Sequence, residues 1–245
     1  MKEEHFFYVP DAVTAQQLSE EEAKHAVRVL RLKEGDPLFL TDGVGNFCHA
    51  VVTEASNKHC RYSIQEVLPQ QPIWQGHIHL AMAPTKMMDR VEWFVEKATE
   101  IGIDEFSFLS CRFSERKVIR LDRVEKIILS AVKQSKKAWV PVVHEMVDFK
   151  AFIDSHPSGM RFIAHCYEEI PKVDLYATLY QCELSPQERD IMVLIGPEGD
   201  FSVDEVQYAI SKGFTSISLG AARLRTETAA LVAVMTASIG QRSKV

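Results

Sequence analysis

No stretch of the 245-residue chain strings together enough apolar residues to cross a bilayer. The opening Met1-Lys2-Glu3-Glu4-His5 lacks the charged-then-apolar layout of a secretory leader. The expectation is therefore a cytoplasmic protein without a membrane partner. Cysteine is scarce: Cys48, Cys60, Cys111, Cys166 and Cys182 are scattered, odd in number and never spaced as Cys-x-x-Cys. That argues against a disulfide framework and against a zinc site. The chain also has no Gly-x-Gly-x-x-Gly run and no phosphate-cradling loop ending in Gly-Lys-Ser/Thr. An overall positive charge is missing too, the formal net charge being −6.

What is present is an ordinary globular composition, 46% hydrophobic and 25% charged. Its charge is unevenly spread. Between Arg112 and Lys137 stand nine Lys/Arg against three acids, a local excess of six inside a chain that is otherwise −12. Such a patch suits the steering of phosphate backbones, and it equally suits a solvated helix face.

The first seventy or so residues read as β-rich. His5 to Val9 is a candidate strand, and Ser19-x-x-Glu22 opens a short helix through Ala23, Ala26, Val27 and Leu30. Extended stretches follow at Pro37 to Thr41, Phe47 to Glu54 and Cys60 to Val67, the first two joined by the hairpin-type turn Asp42 to Asn46. This is the layout of a small barrel. Leu68 to Pro72, with two prolines, reads as a linker. From His77 onward strands alternate with helices. Strands are expected at His77 to Ala83, Glu105 to Ser110, Phe162 to His165, Ile191 to Ile195 and Ser216 to Leu219. Helices are expected at Met87 to Ile101, Leu121 to Lys136, Ser202 to Lys212 and Thr226 to about Ile239. That alternation predicts an α/β fold with a parallel sheet covered on both faces. His77 and His79 read as sheet-edge residues, the Met87-Met88 pair as core, and Trp74 and Trp93 as packing residues, while Trp139, bordering the basic segment, suits either packing or base stacking.

Ligands of open parallel sheets bind beyond the carboxyl ends of the strands. One such end empties into Gly196-Pro197-Glu198-Gly199-Asp200-Phe201, followed by a second capping box from Ser202 to Glu205. Another empties into Gly220-Ala221-Ala222-Arg223-Leu224-Arg225-Thr226-Glu227. Glycines allow close backbone approach to a ligand, and the arginines and carboxylate at a helix start suit a polar one. Ordinary strand-to-helix turns would carry glycine as well. Residues alone lead as far as a ligand-binding α/β domain with a β-rich appendage.

Taken together, Ile195 to Ser202, Leu219-Gly220 and Leu224-Arg225-Thr226-Glu227-Thr228-Ala229 resemble the signature of the 16S rRNA uracil-N3 methyltransferases of the SPOUT superfamily. Lys97 to Gly102, Gln134-Ser135, His25 with Val29-Leu30-Arg31, and Gly35-Asp36 extend the resemblance over essentially the whole chain. It implies a PUA-like barrel over residues 1–70 and a methyltransferase domain over 75–245 closed by a deep trefoil knot. It also implies an obligate homodimer. The reaction implied is transfer of a methyl group from S-adenosyl-L-methionine to N3 of a uridine, at position 1498 of the 16S rRNA, within the 30S ribosomal subunit. Neither DNA nor a metal is called for.

By the same resemblance Leu194, Ile195, Gly196, Pro197, Glu198, Gly199, Leu219, Gly220, Leu224, Arg225 and Thr228 line the cofactor. Arg225 stabilises the developing uracil anion. Glu227 is the candidate base for the N3 proton, ahead of Glu198 and Glu100, although a carboxylate at a helix start also serves as a cap. RNA contacts are expected at His25, Arg28, Arg31, Arg112, Arg116, Lys117, Arg120 and Lys137. The chain departs from the family pattern at Asp200, where a second glycine is usual, and at Ala222 and Lys137, where arginine is usual. His5 stands close to the place of an early arginine. An Asp tolerates positive φ better than most residues, so a local adjustment is expected at Asp200. Two other readings remain open: a SPOUT ribose 2′-O-methyltransferase, and an RNA-binding assembly factor that kept the fold without the activity.

Overall fold

The computed structural model describes residues 5–242 except 57, 75, 157–158 and 181–189, of which Gln181 is placed only as backbone. The chain forms two compact units. The first comprises Met1–Pro72 and Leu129–Val140, the second Ile73–Ile128 and Pro141–Val245.

In the first unit four strands, β1 (Phe6–Tyr8), β2 (Pro37–Thr41), β3 (Asn46–Ala55) and β4 (Cys60–Pro69), lie side by side in that order. β1 runs parallel to β2, and the other pairs are antiparallel. The segment Gln16–Leu18, just after the short helix α1 (Ala12–Ala15), pairs with the far edge of β4. The chain thus carries one edge of the sheet round to the other, which supplies the barrel character. The inward alternation of Leu38, Leu40, Cys48, Ala50, Val52, Cys60 and Tyr62 fills the middle. The expected linker is shorter than its prolines suggest, because β4 runs on through Pro69, which pairs with Asn46. Ser19 caps α2 (Glu20–Lys24), its hydroxyl accepting from the Glu22 amide, and the helix widens into a π-helical turn over His25–Val29.

In the second unit all seven strands are parallel. They are β5 (Ile78–Met82), β6 (Glu105–Ser110), β7 (Val142–Asp148), β8 (Met160–Ala164), β9 (Val173–Asp174), β10 (Ile191–Ile195) and β11 (Thr215–Ser218). The order across the sheet is β7-β6-β5-β10-β8-β11-β9. The helices are α3 (Met88–Ile101), α4 (Leu121–Gln134, which ends in the first unit), α5 (Phe149–Ser155), α6 (Leu175–Gln181), α7 (Val203–Ser211) and α8 (Thr226–Arg242). Every residue of β5 and β10 is buried, as expected of strands covered on both faces. β10, between β5 and β8, forms the middle of the sheet, so the loop that follows it opens at the centre of the carboxyl edge.

Three side-chain expectations need correction. β5 is an interior strand, so His79 is a buried residue (4% exposed) rather than an edge one. It and His77 belong to a cluster on Glu105. His77 Nε2 lies 2.7 Å from Glu105 Oε2, His144 Nε2 lies 2.6 Å from Oε1, and His79 Nε2 lies 2.9 Å from Ser107 Oγ. The cluster holds the Glu105 carboxyl down at about 2, chiefly through the His77 hydrogen bond, while burial lowers His79 to about 4. Met87 is 53% exposed and Trp93 44% exposed, so neither is a core residue. Trp74 does pack, its ring filling the space beside Gly102. No helix of the described residues is long and apolar enough to cross a membrane.

Candidate active site

The carboxyl ends of β8, β10 and β11 surround a cavity of about 850 Å³, a size suited to a cofactor. Its floor is the loop after β10. An Asp200 amide bond to the Pro197 carbonyl (2.9 Å) closes a tight turn there. Gly196 has to be glycine: a Cβ would stand 2.9 Å from the Phe201 amide nitrogen and 3.1 Å from the Asp200 carbonyl carbon, both main-chain atoms. Phe201 is fully buried and anchors the loop, and its carbonyl accepts from Tyr167 Oη at 2.7 Å. Ser202 and Glu205 form the anticipated capping box and start α7.

Asp200 explains its own departure from the family pattern. Its φ is +69°, in the left-handed region that glycine enters freely and Asp tolerates. The side chain offsets the strain locally, Oδ1 accepting from the Phe201 amide (2.7 Å) and Oδ2 from the Cys166 amide (2.8 Å). The second bond ties the β10 loop to the segment after β8.

The opposite wall is the loop after β11. Gly220, at φ +110°, has open space where a Cβ would project, and the Ser218 hydroxyl bonds its amide and carbonyl, each at 3.2 Å. This is main chain presented bare to the cavity. Arg223 and Arg225 stand exposed at the rim, and the Arg225 carbonyl accepts the first bond of α8, from the Ala229 amide. One residue into that helix, Glu227 is 7% exposed, with its Oε1 3.7 Å from Arg90 Nε and its Oε2 without any partner. Hydrogen bonding to the free amides of α8 does not occupy that oxygen.

Of the residues expected at a cofactor, Ile195, Gly196, Pro197, Glu198, Leu219, Gly220, Leu224 and Arg225 line the cavity, and Glu227 lines it with them. Leu194, Gly199 and Thr228 fall outside its wall: Leu194 lies in the sheet core, Gly199 backs onto Phe113, and Thr228 is on α8. Glu100 sits at the far end of α3, bonded to Lys97 (2.7 Å), and is no part of the site. Glu198 is engaged as an acceptor, its Oε1 taking the Lys86 amide at 2.8 Å.

Arg90, His165, Cys166 and Lys172 also line the cavity, and sequence reasoning missed them. Only the position of His165 and Cys166 directly after a strand end was available as a signal. Burial lowers the His165 imidazole, and burial together with Asp200 pushes the Cys166 thiol up, so both present neutral groups at neutral pH.

The basic stretch is largely paired. Arg112 meets Asp204 (3.3 Å), Arg120 meets Asp122 (2.9 Å), and Arg116 donates to the carbonyls of Thr85 (3.0 Å) and Lys86 (2.5 Å). Lys117 reaches the Cys111 carbonyl at 3.5 Å. Exposed ion pairs contribute little to stability, so Arg112 and Arg120 can exchange their partners for phosphates at small cost; Arg116 holds the turn before α3. In the first unit His25, Arg28 and Arg31 are exposed on and just after the π-helical turn, Arg31 at φ +57°. Lys137 is part-buried, and its carbonyl accepts from Thr41 Oγ1.

The residues fit S-adenosylmethionine. Main-chain groups at Gly196 and Gly220, both in the cavity lining, can read an adenine edge, Ile195, Leu219 and Leu224 can enclose its faces, and the cavity is large enough for the bent molecule.

The sequence pattern described as RNA methyltransferase domain matches residues 72–238, and that described as RNA methyltransferase PUA domain matches residues 18–64. The ribosomal RNA small subunit methyltransferase E of Synechocystis sp. is 30% identical over 212 residues, 84% of this chain and 67% of its own length. A crystal structure of a probable rRNA-methyltransferase from Porphyromonas gingivalis superposes with a TM-score of 0.88 at 41% identity, over 97% of this chain and 98% of that one. The ribosomal RNA small subunit methyltransferase E of Neisseria gonorrhoeae, bound to S-adenosyl methionine, gives 0.80 at 25% identity over 95% of each chain.

Proposed function

Because the chain belongs to the RNA methyltransferase family, we propose that it methylates N3 of a uridine in 16S rRNA of the small ribosomal subunit, working as a homodimer. S-adenosyl-L-methionine is its cofactor, and supplies the methyl group from a sulfonium centre. The observation that carries the reading is that one cavity lining holds both an exposed arginine, Arg225, and a buried carboxylate, Glu227, at the start of α8.

Uracil N3 bears a weakly acidic proton that has to leave before the nitrogen can attack a methyl group. The chain's own residues divide that work. The Glu227 carboxylate, which lines the cavity, takes the N3 proton. The Arg225 guanidinium, free at the rim, holds the negative charge that spreads onto the uracil oxygens. Ile195, Leu219 and Leu224 keep water from the cofactor pocket. His25, Arg28 and Arg31, with Arg112 and Arg120, contact phosphates, which position RNA without reading its sequence. The same reading includes the trefoil crossing of the last segments and a dimer. The dimer is supported by exposed Trp93 on α3 and Met235 and Ile239 on α8, two helices that pack together and leave these apolar groups unburied.

The test is incubation with S-adenosylmethionine and undermethylated small subunits, with nucleosides identified by mass spectrometry. Appearance of 3-methyluridine, lost in Arg225→Ala while that variant stays folded, is the expected result. Methylation of a ribose hydroxyl would replace the acceptor, and full activity of Arg225→Ala would remove its assigned role.

A further inference from the structure

The loop after β6 makes a tight turn whose product is an exposed phenylalanine. The Ser114 amide donates to the Cys111 carbonyl (3.1 Å), and the Cys111 amide donates to the Ser114 hydroxyl (3.0 Å). Both residues are buried, so the turn is pinned to the core from beneath. A third bond comes from the capping box of α7: Glu205 accepts from Ser202 through Oε2 and from the Arg112 amide through Oε1, at 2.8 Å. These contacts fix the backbone on either side of Phe113 and leave the residue 47% exposed.

An exposed phenylalanine on a mobile tail needs no explanation, but one held on a braced turn does. The ring's base rests on Gly199, where an added Cβ would meet Phe113 Cβ at 3.4 Å, so the aromatic sits on the outer side of the cofactor loop. The Arg112 guanidinium carbon lies 5.7 Å from the ring centroid. Its pairing partner Asp204 is itself highly exposed, so a phosphate can take that place.

We propose that Phe113 is a stacking platform for an RNA base that flanks the methyl acceptor, with Arg112 reaching the adjoining phosphate. The proposal rests on the RNA methyltransferase reading above. A flanking base is specified, not the acceptor, because Phe113 lies outside the cavity wall while its support, Gly199, belongs to the loop that forms the cavity floor. An unpaired base has the flat apolar face and nearby anion that this aromatic and guanidinium complement, and RNA enzymes read unstacked bases in this way.

The experiment compares wild type with Phe113→Ala, Phe113→Leu and Phe113→Trp on undermethylated small subunits, and records KM, kcat, S-adenosylmethionine affinity, melting temperature and molar mass in solution. Alanine and leucine are expected to raise the KM for the subunit roughly ten- to hundredfold. Tryptophan restores it to near wild type, while cofactor affinity, melting temperature and mass stay put. Rescue by leucine would make the contact a merely apolar one and overturn the proposal, as would a change of mass in the alanine variant, which would make Phe113 an interface between copies. Equal KM in wild type and Phe113→Ala would overturn the stacking alone. Absence of transfer by the wild type would overturn the functional reading together with it.

Discussion

Arg90, in the first turn of α3, brings its Nε to 3.7 Å from Oε1 of Glu227, the buried carboxylate at the start of α8. The two come from distant parts of the chain and meet on one wall of the cavity. A buried carboxylate with one guanidinium nearby keeps a fixed aim, and loss of the guanidinium leaves it uncompensated.

Arg90→Ala is therefore expected to lower kcat roughly tenfold or more, with Arg90→Lys recovering part of it, while the dissociation constant for S-adenosylmethionine moves less than about threefold. Glu227→Gln, similar in shape, is expected to cut kcat by about 10²–10⁴ with the cofactor still bound. Single-turnover transfer and calorimetric cofactor titration separate these quantities. A variant that lost cofactor affinity and kept its rate when saturated would contradict the pairing's role.

Much of this site was legible beforehand. The loops after β10 and β11 announced themselves because an apolar strand ran into glycine and then into a capped helix start. Arg90 was not legible: beside Asp89 on an amphipathic helix it looks like any solvated residue, and only the sheet order brings α3 beside α8. β7, with its sequence Val142-Val143-His144-Glu145-Met146-Val147-Asp148, lacks a clean alternation of apolar and polar residues, since its burial follows edge packing. The helices α5 and α6 are too short to show helical periodicity. His79 on β5 was misplaced for a related reason: strand membership was clear, but the neighbours that make β5 interior lie far along the chain.

Asp200 offers a test of local strain. Asp200→Gly keeps the left-handed backbone and removes two hydrogen bonds, an expected loss of about 1–3 kcal/mol. Asp200→Ala removes the same bonds and adds roughly 1–2 kcal/mol of strain at φ +69°. Thermal unfolding should rank wild type above glycine and glycine above alanine. Alanine equal to glycine would mean that the loop relaxes.

Gly196→Ala places a methyl group against main-chain atoms that move only with the whole loop. The expected results are a lower melting temperature and a cofactor affinity reduced at least about tenfold, since overpacking costs 1–3 kcal/mol and here distorts the cavity floor itself. Unchanged binding would show that the glycine is not structurally required.

The cluster on Glu105 predicts a pH dependence of stability. His79 is lowered from 6.5 to about 4, so between those values the unfolded chain binds a proton that the folded chain refuses, and stability falls as pH drops from 6.5 to 4. The size is on the order of 3 kcal/mol, levelling off below pH 4. Glu105, held at about 2, contributes stability above its unfolded value, lost as pH falls from about 4.5 towards 2. His77 is raised, so its contribution is complete below 6.5 and is lost above it. Urea titrations across this range should give a slope between pH 6.5 and 4 that flattens in His79→Gln. A slope unchanged by that substitution would place the protonation elsewhere.

Gly196 and Gly220 put main chain into the cavity floor and its facing wall, in loops held by Phe201, Ser202 and Ser218. Amide and carbonyl groups are common to every residue, so selection on such a surface acts on backbone path instead of side-chain identity. Most positions around it are then free to drift provided the few that set the path remain. Asp200 is one such drift: a different residue that kept the same turn.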